Sequence, residues 1–103
     1  MILAHIITKD KKQALKIIDI LMGEKLLLHA VVSEKTVYQK IGDKLQESQQ
    51  TLIIGKTKAL LFNTINEEIK KHFSENMPML YSIPIVYMDD ELTDLIRSET
   101  AKV

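Results

Sequence analysis

The sequence predicts an α+β fold, one antiparallel sheet with helices packed on one side, and three observations carry that prediction. The first is the stretch Lys25–Thr57, where leucine, isoleucine, valine, threonine and tyrosine dominate two halves that no proline interrupts and a Gly42-Asp43 turn signal separates. The second is a pair of segments, one on each side of that stretch, whose apolar residues recur at steps of three and four. The third is a short apolar run outside each helical segment, Ile2–Thr8 and Met79–Tyr87. The order is strand, helix, strand, strand, helix, strand and a short C-terminal helix. That is a ferredoxin-like βαββαβ sandwich with a long hairpin between its second and third strands, residues 1–103 forming a single domain.

Each element has a local reason. Ile2–Thr8 is apolar nearly throughout, as a central strand is; His5 within it reads either as a metal ligand or as a histidine tolerated near a core. Asp10 offers an N-cap to a helix over about Lys11–Met22, whose stripe is Ala14, Leu15, Ile17, Ile18, Leu21 and Met22, with Lys11, Lys12, Lys16 and Asp19 elsewhere and Gly23 as the stop. The hairpin is apolar at its base (Leu26–Leu28, Ala30–Val32 against Leu52–Ile54) and polar towards its tip, so the two apolar ends pair and fix the register. Thr57 is placed to cap a second helix over about Lys58–Phe73. Residues 74–78 form a loop, and Pro84 marks a strand end, an edge or a bulge in the fourth strand. Asp89 or Asp90 caps the last helix, with Leu92, Leu95 and Ile96 inward, and Ala101–Val103 is a frayed tail.

Strands usually run to about five or six residues, so halves of more than ten outrun the helices available to cover them. A projecting ribbon and a sheet with one uncovered face both expose apolar surface and unpaired edges, which a neighbouring copy in a closed symmetric oligomer covers. The hairpin is therefore expected to be an assembly device.

Composition narrows the function classes. Fourteen basic residues balance fourteen acidic ones, which argues against a nucleic-acid partner. Without cysteine there is no disulfide and no thiolate metal site. The apolar run at the N-terminus has no basic flank and is too short for a membrane span, so no membrane association and a cytoplasmic location are expected. Gly55-Lys56-Thr57 has the form of the end of a phosphate-binding loop, but Gln50 stands where that loop needs glycine and Leu52–Ile54 reads as strand. No nucleophile elbow or zinc-protease helix occurs, and Arg97, the only arginine, lies in the last helix, away from any first-loop phosphate cradle.

In that order of elements the chain resembles the CutA family, the divalent-cation tolerance proteins. The resemblance spans nearly the whole length. It rests on Glu24-Lys25-Leu26 opening the second strand, Tyr38 followed by Gly42, and Ile54-Gly55-Lys56-Thr57 before the second helix. His72 with Glu75, the pair Pro78 and Pro84, and Leu92-x-x-Leu-Ile-x-x-Glu-Thr100 complete it. The resemblance implies a homotrimer whose shared polar positions, here Tyr38, Lys56, His72, Glu75 and Glu99, surround clefts between subunits. It also implies a possible divalent cation, copper or zinc, for which His72, Glu75 and His29 are the candidate ligands. The chain departs from the family pattern where His29 replaces a cysteine and Val31 an asparagine, where Gln39-Lys40 replaces an aromatic cluster, and where His72-Phe73-Ser74-Glu75 replaces His-Pro-Tyr-Glu.

Other readings stand beside these. Lys56 can hold an anion or form an interface salt bridge, His72 can simply suit a helix C-terminus, and Tyr38 can pack with its hydroxyl bonded. Glu75 can stabilise its loop, and Glu99 can be a solvated residue at a helix end. At the level of function the alternative is a PII-like signalling module with a nucleotide or small effector between subunits, against which stands the short turn at Gln39–Lys44. An enzyme using His72 and Glu75 as an acid–base pair is the weakest reading, since no catalytic motif supports it.

Overall fold

The computed structural model describes residues Met1–Val103. Strands β1 (Ile2–Thr8), β2 (Leu28–Ile41), β3 (Lys44–Thr57) and β4 (Met79–Pro84) form one sheet in the order β2-β3-β1-β4, every neighbouring pair antiparallel. Helices α1 (Lys11–Gly23), α2 (Phe62–His72) and α3 (Asp90–Glu99) complete the ferredoxin-like α+β fold. β3 lies between β1 and β2, as a ferredoxin-like order implies, and of the three positions open to Pro84 it ends an edge strand, where its missing N–H costs no ladder bond.

The period-two burial of β1 shows how the layers are made. Ile2, Ala4, Ile6 and Thr8 are buried while Leu3, His5 and Ile7 are half-buried. On the covered side Ala4, Ile6 and Ile53 meet Ala14, Ile17 and Leu21 of α1 and Leu61, Ile65 and Ile69 of α2. Each such isoleucine or leucine contributes about 1.5–3 kcal/mol by leaving water. Three buried threonines cross this layer, and their hydroxyls are not left bare. Thr8 donates to the Thr51 carbonyl at 2.8 Å, Thr57 to the Leu26 carbonyl at 2.6 Å, and Thr51 to the Glu34 carboxylate at 3.0 Å.

Five local expectations need correction. The second strand starts at Leu28 and not at Lys25, because α1 continues through Gly23 and its end consumes Lys25 and Leu26. Lys25 takes a left-handed φ of 57°, its N–H donates to the Met22 carbonyl at 3.1 Å, and the Leu26 N–H donates to the Leu21 carbonyl at 2.8 Å. This is a Schellman end with lysine in the usual glycine position. Thr57 caps nothing, since its hydroxyl is spent on Leu26, and the second helix enters through a 3₁₀ turn over Ala59–Leu61.

The fourth strand stops at Pro84, leaving Val86 and Tyr87 exposed. Of the last helix's three inward residues only Ile96 is buried; Leu95 is exposed. Finally, the tail is docked as far as Ala101. Its N–H donates to the Lys25 carbonyl at 2.7 Å, and the Lys58 ammonium donates to the carbonyls of Ala101 and Thr100 at 2.9 and 3.3 Å.

β1 pairs only with residues 51–57 of β3, so residues 44–50 bond to nothing but the facing half of β2, from Lys35 to Ile41. Seven residues at about 3.3 Å each make a free ribbon on the order of 23 Å long. Its turn places Gly42 at φ 63° in the first of two loop positions, the II′ arrangement that matches strand twist.

Candidate functional site

The side of the sheet away from α1 and α2 has no cover within the chain. Half-buried Leu3, His5 and Ile7 of β1 lie beside half-buried Leu52, Ile54 and Lys56 of β3, and exposed Tyr81 and Ile83 of β4 continue the same rows. His5 is directly opposite Ile54 on one side and Tyr81 on the other, its ring 5.1 Å from the tyrosine ring at a tilt of 36°. Lys56 is set between Leu28 and Leu3, so its stem crosses apolar side chains before its ammonium reaches solvent.

The sequence-predicted polar residues fall into separate regions of one chain. Tyr38 stands on the free ribbon opposite Glu47, 60% exposed, with no apolar neighbour layer above it. Lys56 belongs to the uncovered sheet face. Glu99 is the exposed last residue of α3, and the single ion pair of that helix is Arg97 with Asp94 at 3.9 Å. His29 is exposed at the bulge between Leu28 and Ala30, with a left-handed φ of 53°. Within one chain no three histidine, aspartate or glutamate side chains converge as a metal centre.

Only His72 and Glu75 come together. They line an open cleft of about 490 Å³ between the turn leading into α1 and the loop from α2 to β4. The His72 Nδ1 lies 2.9 Å from the Glu68 carbonyl, which fixes the proton on that nitrogen and leaves Nε2 as the free ring position. The floor is built by Gln13, itself 4% exposed: its Oε1 accepts from the Lys9 N–H and its Nε2 donates to the Asn76 carbonyl, both at 2.9 Å. One buried amide thus ties the two loops together.

Sequence reasoning missed the opposite wall, formed by Lys9, Lys12 and Lys16. The available signal was the four-residue step from Lys12 to Lys16, which sets both ammonium stems on one side of α1. It also missed Lys58 as the residue that fastens the C-terminal segment.

The fold and its features agree with comparisons to known proteins. No curated protein sequence matches the chain. Among solved structures, CutA1 from Pyrococcus horikoshii is 22% identical with a TM-score of 0.89, over 99% of this chain and 100% of that one. The divalent cation tolerance protein from Thermus thermophilus is 22% identical with a TM-score of 0.87, over 98% and 100%. The periplasmic divalent cation tolerance protein CutA from Archaeoglobus fulgidus is 22% identical with a TM-score of 0.86, over 96% and 98%. At this identity the structures establish the shared fold. No helix of the chain is long and apolar enough to cross a membrane. The family model for the CutA1 divalent ion tolerance protein matches residues 2–99, and the chain belongs to that family.

Proposed function

We propose that the chain works as a homotrimer in divalent metal ion tolerance, and that a divalent cation or small anion binds where subunits meet. The observation that carries this reading is the uncovered sheet face. A half-buried apolar layer through Leu3, Ile7, Leu52 and Ile54, widened by Tyr81 and Ile83, is contiguous apolar surface of the kind that a neighbouring chain covers. The free ribbon adds a second adhesive surface, since both edges of its outer half can accept further strand or side-chain contacts. Three copies closing around these faces would bring Tyr38 and Lys56 of one subunit towards neighbours, which is the arrangement the cleft residues need.

His72 and Glu75 would supply one imidazole nitrogen and one carboxylate to such a cation. His29 of another subunit would supply a further imidazole. Nitrogen and oxygen donors of this kind suit zinc or copper(II). When bound, the cation would contribute positive charge that draws these subunits together. Nothing particular in the chain favours the PII-like alternative, because the hairpin closes on Gly42 and Asp43 alone. The cytoplasm is the compartment proposed; fractionation of cells would place it there or, as for the Archaeoglobus protein, in the periplasm.

Native mass spectrometry tests the reading directly, on metal-free protein and then with zinc or copper(II). The expected spectrum is a trimer that takes up metal in proportion to its subunits and loses it on His72→Ala. A monomer would overturn the assembly, and a trimer that takes up no metal would overturn the cation site.

A further inference from the structure

We propose that the cleft between the β1–α1 turn and the α2–β4 loop binds a small polyanion of the pyrophosphate or phosphate-ester class, held by Lys9, Lys12 and Lys16. Four facts support this. The cleft is about 490 Å³, within the usual range for small-ligand sites of about 300–1,000 Å³, and Phe73 is the only hydrophobic residue among the ten that line it. A lining so polar suits a charged ligand and not an apolar one.

Second, the charges are unbalanced locally although the chain is neutral. Residues 9–16 carry Lys9, Lys11, Lys12 and Lys16 against Asp10, whereas residues 89–99 carry five carboxylates against Arg97. No lysine of the cleft forms a salt bridge, the only pair in the structure being Arg97 with Asp94. The Asp10 carboxylate is occupied in capping, accepting from the Gln13 N–H at 2.8 Å.

Third, the lysines stand where they cost stability. The first turn of α1 has no acidic residue, so Lys11 and Lys12 sit at the positive end of the helix dipole. Lys12 and Lys16 are like charges one turn apart, which also repel. An arrangement that breaks two local electrostatic preferences without an internal partner is the pattern expected of a site completed by an anion. Lysine ammonium groups act as point charges towards phosphate and need no fixed fork geometry.

Fourth, the two walls are joined: the buried Gln13 amide bonds to Lys9 on one side and to Asn76 on the other, both at 2.9 Å. Across from the lysines stands His72, its Nδ1 2.9 Å from the Glu68 carbonyl. Lys12, Lys16 and Gln13 share one chain and one helix, and this reading rests on the cleft to which His72 and Glu75 also bring the proposed cation. It also makes a demand opposite to that of the cation site: Glu75 helps hold a cation but opposes an anion.

Isothermal titration of the metal-free full chain with inorganic pyrophosphate at low ionic strength tests the proposal. Saturable binding of one pyrophosphate per chain is expected. The double variant K12Q/K16Q should weaken it about ten-fold. E75Q should tighten it about two-fold or more, since a repelling charge is removed. The control K35Q/K40Q removes the same charge from the ribbon and should leave the affinity within about two-fold. Absence of saturable binding overturns the proposal. Equal weakening by the two lysine pairs overturns it as well, because bulk charge would then explain everything, and so does weaker binding by E75Q. A loss of zinc or copper(II) by E75Q alongside tighter pyrophosphate separates the two sites' chemistry, and sedimentation of the same samples reads the trimer independently.

Discussion

Lys25 holds a conformation that suits glycine, two residues beyond a glycine that does not need its freedom. Gly23 is the last turn-forming residue of α1, and a Cβ built on it meets nothing within 4 Å. Glycine there costs up to about 1 kcal/mol relative to alanine. Lys25, at φ 57°, bears the left-handed cost of about 1–2 kcal/mol that glycine avoids. The substitutions Gly23→Ala and Lys25→Gly should therefore each raise unfolding free energy by about 0.5–1 kcal/mol, read by urea titration at fixed protomer concentration. A loss of stability in Lys25→Gly would mean that its side chain does something the backbone geometry does not reveal. The sequence pointed to Gly23 as the helix stop because glycine is the commonest residue to end one. The better signal was the pair Leu21 and Leu26, both buried in the core and at the spacing of the hydrophobic pair that accompanies a Schellman end. His72 was legible as a helix-end histidine, but the lysines facing it were not, since a helix's solvated side and one wall of a cleft have the same spelling.

At the scale of elements, β3 carries the fold, pairing with β2 along its whole length and with β1 along its inner half. Gly55 lies in that inner half, and its reason is packing. A Cβ on Gly55 would stand 2.8 and 2.9 Å from the two Leu27 methyls and 3.1 Å from its Cγ, and Leu27 is itself only 3% exposed. Leu27 belongs to the short link between α1 and β2, so Gly55 lets that link lie flat on the strand. Gly55→Ala should cost about 1–3 kcal/mol of stability by overpacking, seen as a lower urea midpoint with an unchanged slope. An unchanged midpoint would show that the link moves aside freely. Strand order, the helix positions and the edge character of β4 were legible because apolar periodicity and proline report directly on layers. The docking of α3 was not, because its clamp joins Lys58 and the Lys25 carbonyl to Thr100 and Ala101, residues far apart in sequence whose partnership has no local pattern.

At the scale of the whole molecule, shape argues for assembly. A compact chain of this length has a radius of gyration of about 13 Å, whereas this one has 14.6 Å and a longest dimension of 47 Å against 29 and 19 Å. The excess is the ribbon, where Tyr38, Ile41 and Leu45 are 60%, 56% and 72% exposed and no helix reaches them. Such a ribbon contributes nothing to the covered core, since the buried cluster draws on β3 no further out than Ile53. Removing it should therefore spare the protomer and weaken the oligomer. The register supplies a clean cut: Val37 is opposite Ser48, so replacing residues 38–47 with Asn-Gly closes the shortened hairpin on a two-residue turn. The expected outcome is far-ultraviolet dichroism showing the same helices and the remaining strands, together with a fall from trimer to monomer in sedimentation at low micromolar concentration. Trimers that persist would place the adhesive surface wholly on the uncovered sheet face, around His5 and Tyr81. In that case a polar substitution there, such as Ile54→Lys on the strand next to His5, becomes the change that separates the subunits.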